Sequence, residues 1–361
     1  MKKRILFTGG GTLGPVTPLL AIARELRKIN SDLEMFWLGT DTGPERALVE
    51  SSHIHFFSVS TPKFDRDRWW LLPLIPLKMA KALWQAKRLL KKIKPDLIFT
   101  AGGYVGVPAI WLAALQKIPV WVHQLDVIPG LANKIVAPFA TSISVTWPDS
   151  KVYFSSKKTI VVGGITRSLP ENIQNNRNKV IDFYKLDAGK PIVLVTGGGT
   201  GALSINRAME IIGEELSDIA NIIHLTGKGK MTDYLANAMP DNYIALEFLG
   251  EGMLKIISAA DIVVSRAGMG TIMELAFLKK PSIILPLPNQ DQLNNARALQ
   301  ERGAAIVLDD FNPQILKQNI KTLLYDKQLQ SKLSKEMGRL FPVNGAVEVA
   351  HLATDIIKIK K

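Results

Sequence analysis

The chain contains no cysteine and only five histidines. Without cysteine it can form neither disulfide bonds nor thiolate metal sites, and this composition is compatible with a reducing compartment such as the cytoplasm. None of the histidines has the spacing of a metal-ligand pair. The sequence therefore predicts no metal centre, and we expect no cofactor besides the substrates.

The chain also lacks a long uninterrupted apolar segment. Its first residues, MKKRILFTGGG, are basic, but glycines limit the apolar run to three residues, far below the core of a signal peptide. The longest uncharged stretch, residues 97–116, contains the sequence GGYVGVP, whose glycines and proline would break a lipid-exposed helix. We expect neither export nor a membrane-spanning helix.

With 361 residues, 47% of them hydrophobic, the chain can bury two separate cores. Strand-like runs alternate with helical patterns, which is typical of parallel α/β sheets whose ligands bind beyond the carboxyl ends of the strands. We predict an N-terminal domain over residues 1–163, a C-terminal domain over residues 164–344, and a terminal helix at about 345–361 that packs on the first domain. The runs are RILFT, LEMFWL, HFFSV, DLIFT, VWVH, SISV and TIVVG, then IVLVT, NIIHLT, YIALEF, DIVVS, SIILP and AIVLD.

The string TGGGT occurs twice, at residues 8–12 and 196–200, each time directly after a short apolar run. Glycines at a strand-to-helix turn let the backbone approach a ligand, and the helix N-terminus presents N–H groups to negative charge. Both loops also satisfy a dinucleotide-binding pattern. That pattern requires an acidic residue about 20 residues further on, whereas Asp41 lies about 30 residues beyond the first loop. A nicotinamide or flavin enzyme is therefore the less favoured alternative to binding of another nucleotide.

A more specific pattern lies in the second half, where DIVVSRAGMGTIMELAFLKKPSIILP predicts a strand, a turn, a helix and a strand. Glu274, one or two turns into this helix, can accept both hydroxyls of a ribose, while the N–H groups of residues 268–271 face a pyrophosphate. Gln292 and Asn295, at the start of a further helix, can bind sugar hydroxyls. The alternative is that Glu274 is solvated and that the two amides only cap a helix.

Positive charge is concentrated between residues 61 and 94, which carry ten Lys or Arg and two Asp. At 100° per residue, the helical pattern in this segment separates an apolar face (Leu83, Ala86, Leu90, Ile93) from a basic one. Adjacent aromatic and basic surfaces favour an anionic membrane interface over a merely solvated helix, and nucleic acid is the least favoured partner. The residues expected to contact the membrane are Trp69, Trp70, Lys81, Trp84 and Arg88.

Over nearly its whole length the chain resembles the MurG-like family of GT-B glycosyltransferases. The six motifs that carry the resemblance occur in the family's order: GGTLGPVTP, PDLIFTAGGYVGVP, HQLDVIPGLANK, GGGTGALSIN, SRAGMGTIMELA and DQLNNA. The resemblance implies two Rossmann-like parallel-sheet domains that face each other across a cleft.

The resemblance also implies a function. It is the inverting transfer of N-acetylglucosamine from UDP-N-acetylglucosamine to a polyprenyl-pyrophosphate-linked muramyl-peptide acceptor, in peptidoglycan synthesis, by a peripheral protein at the cytoplasmic face of the membrane. A related UDP-sugar transferase with a different acceptor, a UDP-sugar epimerase and a non-catalytic nucleotide-sugar binder remain alternatives.

The resemblance further implies the site residues, with Glu274 holding the ribose. Those assigned to the donor UDP-sugar are Thr12, Gly14, Gly199, Thr200, Asn206, Arg266, Gly268, Met269, Thr271, Glu274, Gln292 and Asn295, of which Thr12 and Gly14 also face the acceptor. Those assigned to the acceptor and its pyrophosphate are Gly11, Tyr104, Gln124, Asn133 and Arg167.

The chain departs from the family pattern where the acceptor should lie. Pro15 stands where the first loop normally has a histidine, and Gln124 and Asp126 replace a glutamate and an asparagine. We therefore predict a divergent member with its own catalytic base. Asp126 is the first candidate, because its carboxylate lies on a loop that leaves a buried strand at the ligand end; His123 is the fallback, although it is more typical of a core histidine.

Overall fold

The structure is a computed structural model that describes residues 2–62, 75–166, 176–199, 201–249, 252–288, 290–342 and 345–358. The chain separates into two compact units, Met1–Arg167 with Pro342–Lys361, and Ser168–Phe341. Each unit is built around one parallel sheet. The prediction of two Rossmann-like α/β domains is therefore confirmed.

The first unit contains a seven-stranded parallel sheet in the order β3-β2-β1-β4-β5-β6-β7. Its strands read as continuous apolar runs because helices cover both faces of a parallel sheet. The strands are β1 (Arg4–Thr8), β2 (Glu34–Gly39), β3 (His55–Ser58), β4 (Leu97–Thr100), β5 (Val120–Gln124), β6 (Ser142–Val145) and β7 (Thr159–Val161).

The helices of this unit connect successive strands, and the last one returns from the end of the chain. They are α1 (Val16–Ile29), α2 (Glu45–Ser51), α3 (Ile75–Ile93), α4 (Val107–Leu115), α5 (Leu131–Val136) and α14 (Gly345–Ile356). The terminal helix α14 packs against α1. Gly345 allows this return, because a Cβ there would come within 2.8 Å of the carbonyl oxygens of Val162 and Gly164.

The second unit contains a six-stranded parallel sheet in the order β10-β9-β8-β11-β12-β13. Each of the thirteen strands in the described residues overlaps one of the thirteen apolar runs of the sequence. The strands of this unit are β8 (Ile192–Thr196), β9 (Asn221–Leu225), β10 (Tyr243–Leu246), β11 (Ile262–Ser265), β12 (Ser282–Ile284) and β13 (Ile306–Val307).

Helices again alternate with the strands of this second sheet. They are α6 (Arg177–Tyr184), α7 (Leu203–Ser217), α8 (Asp233–Asn237), α9 (Met253–Ala259), α10 (Met269–Phe277), α11 (Gln290–Glu301), α12 (Pro313–Tyr325) and α13 (Lys327–Met337). One face of the sheet packs with α7 and α12 into an aliphatic core that includes Ile205, Met209, Ile320 and Leu323.

The amphipathic helical pattern predicted within residues 61–94 is present in α3, whose apolar face packs against α4. Its buried residues are Ala82, Ala86, Leu89, Leu90 and Ile93. Leu83, which the helical pattern places on this face, is only half-buried. Among the described residues, no helix combines the length and the apolar character that crossing a bilayer requires.

Candidate active site

Both glycine-rich loops lie at the point where the strand order of their sheet reverses. The chain runs outward from β1 to β2 on one side and continues at β4 on the other, and β8 has β9 and β11 as its neighbours in the same way. In each sheet the two strands at the reversal end side by side. Thr8 of β1 pairs with Thr100 of β4, and Thr196 of β8 pairs with Ser265 of β11. Ligands of open α/β sheets bind at such reversals, beyond the carboxyl ends of the strands. The two TGGGT loops are therefore placed to meet ligands.

In the first unit, the glycine-rich loop lies against a carboxylate that the sequence analysis did not single out. Glu45, the first residue of α2, has no exposed surface. Its oxygens accept hydrogen bonds from the backbone N–H of Thr40 at 2.7 Å, from the Thr40 hydroxyl at 2.6 Å and from the N–H of Gly11 at 3.3 Å. The Gly11 N–H, which we expected to meet a pyrophosphate, thus donates to a carboxylate. A negative charge at this place would also repel a second anion.

The GGY turn after β4 completes this first loop. Gly103, with a φ of 88°, lies against the backbone of Gly10, and the ring of Tyr104 lies beside Gly11. Burial and the nearby carboxylates of Glu45 and Asp41 raise the pKa of the Tyr104 phenol above its ordinary value. Tyr104 is therefore a protonated, half-buried hydroxyl at physiological pH. Thr12 and Gly14 are exposed in the turn that leads to α1.

The loop after β5 is held by an amide network that includes two predicted site residues. Nε2 of Gln124 donates to the carbonyl oxygens of Asp126 at 2.7 Å and Ile128 at 3.4 Å, and its Oε1 accepts from Nδ2 of Asn133 at 2.6 Å. Asn133 is buried, and a Cβ at Gly102 would lie 3.4 Å from its Oδ1, so this network adjoins the GGY turn. Gln124 therefore shapes the loop that carries Asp126, which is itself half-buried.

His123 lies in the core. It has no exposed surface, and its ring contacts the hydroxyls of Ser144, at 2.9 Å from Nδ1, and Thr146, at 3.4 Å from Nε2. Burial lowers its pKa to about 3, so the ring is neutral at pH 7. The fallback assignment of His123 as the base does not fit this position, because a side chain without exposed surface cannot reach a substrate hydroxyl.

In the second unit, two helices begin at the ends of adjacent strands without side-chain caps. The helix α7 follows the second glycine-rich loop after β8, and α10 follows β11 directly. Neither Ala202 nor Gly268, their N-cap residues, forms a capping side-chain hydrogen bond. A Cβ added at Gly198, Gly268 or Gly270 would meet no atom within 4 Å. Both helices therefore begin without a side-chain cap and beside open space, where the positive end of a helix can meet an anionic ligand.

Glycine is needed in the second loop for two further reasons. A Cβ at Gly197 would overlap with the backbone at Ala202, and one at Gly201, whose φ is 69°, would overlap with the carbonyl oxygen of Thr226. These glycines close the turn, whereas the exposed Gly199 faces outward. The loop can thus bring backbone groups, rather than side chains, to a ligand.

Asn206 supports the loop that follows β9. Its Nδ2 donates to the carbonyl oxygens of Thr226 at 3.0 Å and Lys230 at 3.1 Å, and its Oδ1 lies 3.1 Å from Nε2 of His224. Nζ of Lys230 in turn donates to the carbonyl oxygen of Gly201 at 3.2 Å. The amide of Asn206 is thus engaged inside the unit, and its observed contacts position the loop rather than reach outward.

Arg266 connects the turn after β11 with two neighbouring segments. Its guanidinium donates to the carbonyl oxygens of Leu285 at 2.8 Å and Pro286 at 2.9 Å, and to the hydroxyl of Ser204 at 2.5 Å. The side chain is buried, and its Nε has no hydrogen-bond partner in the part of the chain that the structure describes. Arg266 therefore places a buried positive charge beside the start of α7.

The predicted ribose and sugar residues surround the start of α10. Glu274 is buried within this helix, at 5% exposure. Nδ2 of Asn295 donates to the carbonyl oxygen of Ala267 at 3.2 Å, and Oε1 of Gln292 accepts from the N–H of Leu287 at 3.0 Å. Asn295 thus ties α11 to the turn before α10, whereas Gln292 contacts the segment that leads into α11. In the first turn of α10, Met269 is buried and Thr271 is half-buried.

The predicted membrane face is only partly described. On α3, Leu77, Lys81, Trp84 and Arg88 follow a spacing of four, three and four residues, which places them on one side of a helix. Leu77 is 74% exposed and Trp84 58% exposed, and the guanidinium carbon of Arg88 lies 4.9 Å from the centre of the Trp84 ring. Four predicted site or membrane residues lie outside the described residues: Trp69, Trp70, Arg167 and Thr200.

Comparison with known proteins identifies the family. The model of the glycosyltransferase family 28 N-terminal domain matches residues 5–145, and that of the family 28 C-terminal domain matches residues 192–349. Among solved structures, MurG of Acinetobacter baumannii superposes with a TM-score of 0.76 at 26% identity, covering 98% of this chain and 99% of that one. The UDP co-structure of MnaA from S. aureus, with a TM-score of 0.70 at 15% identity and 99% of each chain covered, shares the fold.

Two curated relatives carry the name UDP-N-acetylglucosamine--N-acetylmuramyl-(pentapeptide) pyrophosphoryl-undecaprenol N-acetylglucosamine transferase. The Lachnospira eligens protein is 38% identical over 331 residues, which are 90% of this chain and 92% of that protein. The Geobacillus kaustophilus protein is 36% identical over 350 residues, 95% and 96% of the two chains. The resemblance to MurG-like GT-B enzymes is therefore confirmed, and the chain belongs to glycosyltransferase family 28.

Proposed function

We propose that this protein transfers N-acetylglucosamine, with inversion, from UDP-N-acetylglucosamine to a muramyl peptide linked to a polyprenyl pyrophosphate, in peptidoglycan synthesis. The observation that supports this most directly is the pair of uncapped helices, α7 and α10, at the strand reversal of the second unit. The relatives named above, which match nearly the whole chain, support the choice of donor and acceptor.

The second unit binds the donor in this proposal. The N–H groups at the start of α7 and α10 receive the diphosphate, Glu274 accepts the ribose hydroxyls, and the first residues of α11 contact the sugar. The buried charge of Arg266 adds to the positive potential at the diphosphate. Positioned donor groups of this kind typically contribute about 10² to 10³ each in rate, because they stabilise the charge that develops on the leaving UDP.

The first unit binds the acceptor. The acceptor hydroxyl oxygen attacks the anomeric carbon from the side opposite the diphosphate. The new carbon–oxygen bond forms as the bond to the diphosphate breaks, and the electron pair of that bond leaves with UDP. Asp126 takes the hydroxyl proton, a step that typically contributes about 10² to 10⁴ in rate. Neither Pro15 nor Gln124 can accept that proton.

The lipid part of the acceptor requires a membrane surface. We place α3 at the cytoplasmic face of the membrane, where its exposed Leu77 and Trp84 enter the headgroup region and its lysines and arginine meet anionic lipids. In this proposal the protein is peripheral and binds UDP-sugar, lipid acceptor and membrane, with no nucleic acid involved.

Incubation with a panel of UDP-sugars, with and without undecaprenyl-pyrophosphoryl-muramyl-pentapeptide, tests the proposal by mass analysis of the products. We expect the lipid to gain one N-acetylhexosamine and UDP to be released, only when lipid and UDP-N-acetylglucosamine are both present. Conversion of the UDP-sugar without the lipid into an isomer of the same mass, resolved by chromatography or NMR, would identify an epimerase instead. Transfer from a different UDP-sugar, or to a different acceptor only, would overturn the named donor or acceptor.

A further inference from the structure

Glu45 is a buried carboxylate for which the proposed mechanism has no use. It has no exposed surface, and in the described parts of the chain no lysine or arginine forms an ion pair with it. Burying a charged carboxylate is costly unless hydrogen bonds replace the lost water. Here the replacements are the two donors of Thr40 and the N–H of Gly11. The carboxylate therefore connects the end of β2 to the first glycine-rich loop.

The surrounding glycines are fitted to this carboxylate. A Cβ at Gly10 or Gly43 would overlap with the oxygens of Glu45, and a Cβ at Gly39 would lie 3.1 Å from one of them. Gly10 belongs to the TGGGT string, so one glycine of that motif makes room for a side chain of the protein itself. Loop and carboxylate thus depend on each other for their positions.

The loop in turn positions Tyr104. A Cβ at Gly11 would lie 3.1 Å from Cε1 of the Tyr104 ring and 3.5 Å from its hydroxyl oxygen, so the ring packs directly on the residue whose N–H Glu45 accepts. Gly103, one residue earlier, contacts the backbone of Gly10. A shift of the loop at Gly11 would therefore change the packing against the Tyr104 ring.

We propose that Glu45 is a positioning residue of the acceptor site: its buried carboxylate fixes the first glycine-rich loop and, through Gly11, the hydroxyl of Tyr104. The inference rests on the proposed function for its link to acceptor turnover. Because the Gly11 N–H donates to the Glu45 carboxylate, this N–H is not the group that binds the diphosphate of the acceptor in this proposal.

The charge of Glu45 provides a readout besides activity. Together with burial and Asp41, it raises the pKa of the Tyr104 phenol. Glu45→Gln keeps the size of the side chain and removes the charge. We expect the pKa of Tyr104, measured by NMR on ¹³Cζ-labelled tyrosine and assigned with Tyr104→Phe, to fall toward its ordinary value in this variant.

Glu50→Gln is the matched control, since Glu50 is an exposed residue of the same helix α2 and pairs only with Arg46 at 3.4 Å among the described residues. We expect the control to leave turnover and the pKa of Tyr104 unchanged.

In Glu45→Gln we expect kcat with the lipid acceptor to fall about ten- to a hundredfold, the range that displacement of a positioned group costs, while KM for the UDP-sugar stays within about twofold.

Glu45→Asp separates charge from position. It keeps a negative charge near Tyr104 but shortens the reach to Gly11, so kcat should fall while the pKa of Tyr104 remains raised. An unchanged kcat in both Glu45 variants, or an unchanged pKa of Tyr104 in Glu45→Gln, would overturn the assignment.

If the wild-type protein transfers no sugar, the proposed function fails, whereas the NMR measurement still decides whether Glu45 acts on Tyr104. If Glu45→Gln does not fold, Thr40→Val, which removes one donor to the carboxylate and keeps its charge, replaces it in the kinetic measurement. In that variant kcat should fall while the pKa of Tyr104 remains raised, and an unchanged kcat would overturn the assignment.

Discussion

Gln124 shows how one side-chain type decides the shape of a loop. Its Nε2 faces two carbonyl oxygens, those of Asp126 and Ile128, and only a donor can satisfy them. An ionised glutamate, the residue that the family pattern has here, offers no donor. The amide is therefore suited to the loop conformation of this chain, in which Asp126 is half-buried.

Gln124→Glu should destabilise the first unit by about 1–3 kcal/mol, because the variant removes the Nε2 donor from the carbonyl oxygens of Asp126 and Ile128 and places a new negative charge beside them. Urea unfolding measures the change. Gln116→Glu, at the exposed end of α4, is the matched control and should leave the free energy of unfolding unchanged. Equal stabilities of the two variants would show that the Gln124 contacts do not matter for this loop.

Asp126→Asn should lower turnover about 10² to 10⁴-fold and leave UDP-sugar affinity within a few-fold, because the change keeps the shape of the side chain and removes its basicity. The measurement is steady-state kinetics with the lipid acceptor, alongside calorimetry with UDP. Asp182→Asn, on the exposed side of α6, is the control. A well-folded Asp126→Asn enzyme with near-normal turnover would eliminate Asp126 as the base.

Glu274→Ala should weaken UDP binding by about 1–3 kcal/mol, the cost of removing a charged partner from the ribose hydroxyls. Isothermal calorimetry with UDP gives this value directly. Glu301→Ala, at the exposed end of α11, should bind UDP as the wild type does. Unchanged affinity in the Glu274 variant would remove the ribose assignment and leave Glu274 as a buried structural residue.

At the scale of elements, the helix α3 has two different apolar surfaces. The buried one packs against α4, and the other exposes Leu77 and Trp84 between basic residues. A single exposed apolar residue is ordinary in a soluble protein, but a stripe of apolar and basic residues along one helix side is typical of an interfacial helix.

The combined variant Lys81→Glu, Trp84→Ala and Arg88→Glu should therefore bind anionic vesicles much more weakly than the wild type in sedimentation experiments. Each basic residue near the surface contributes about 1 kcal/mol at low salt, and binding should weaken as salt is added. The control for net charge combines Lys179→Glu with Lys332→Glu. These substitutions reverse the charge of two exposed lysines in the second unit. Equal binding by both variants would contradict a membrane role for α3.

At the scale of the whole molecule, each unit buries one histidine. Burial lowers the pKa of His123 to about 3 and that of His224 to about 4, while the unfolded chain protonates near 6.5. The unfolded state thus binds more protons below pH 6.5, so stability is full above that pH and falls as the pH decreases toward the folded pKa values.

Between pH 7 and pH 5 we expect each unit to lose roughly 2 kcal/mol from its buried histidine, at about 1.4 kcal/mol per pH unit below 6.5. Urea unfolding at the two pH values measures the loss. His224→Gln should reduce the loss for the second unit, whereas His351→Gln, at an exposed position of α14, should not. A loss that is the same in all three proteins would contradict this origin of the acid sensitivity.

The thirteen strands could be predicted from sequence because their signal is local. Each is a short apolar run bounded by glycine, proline or polar residues, and a parallel sheet covered on both faces requires such runs. The six motifs likewise identified the family before any geometry was known. Sequence alone therefore determined the two α/β domains and the class of transferase.

Tertiary structure decided what the motif residues touch. Glu45 and Gly11 are 34 positions apart in the chain and meet only because β2 lies beside β1 in the sheet. The first glycine-rich loop, which the sequence predicted to face phosphate, therefore donates a hydrogen bond to the carboxylate of Glu45 instead. His123 likewise lies in the core, and the amide of Asn206 bonds to the carbonyl oxygen of Thr226 inside its unit. Such roles depend on strand order and solvent exclusion, which bring together residues that no local sequence pattern links.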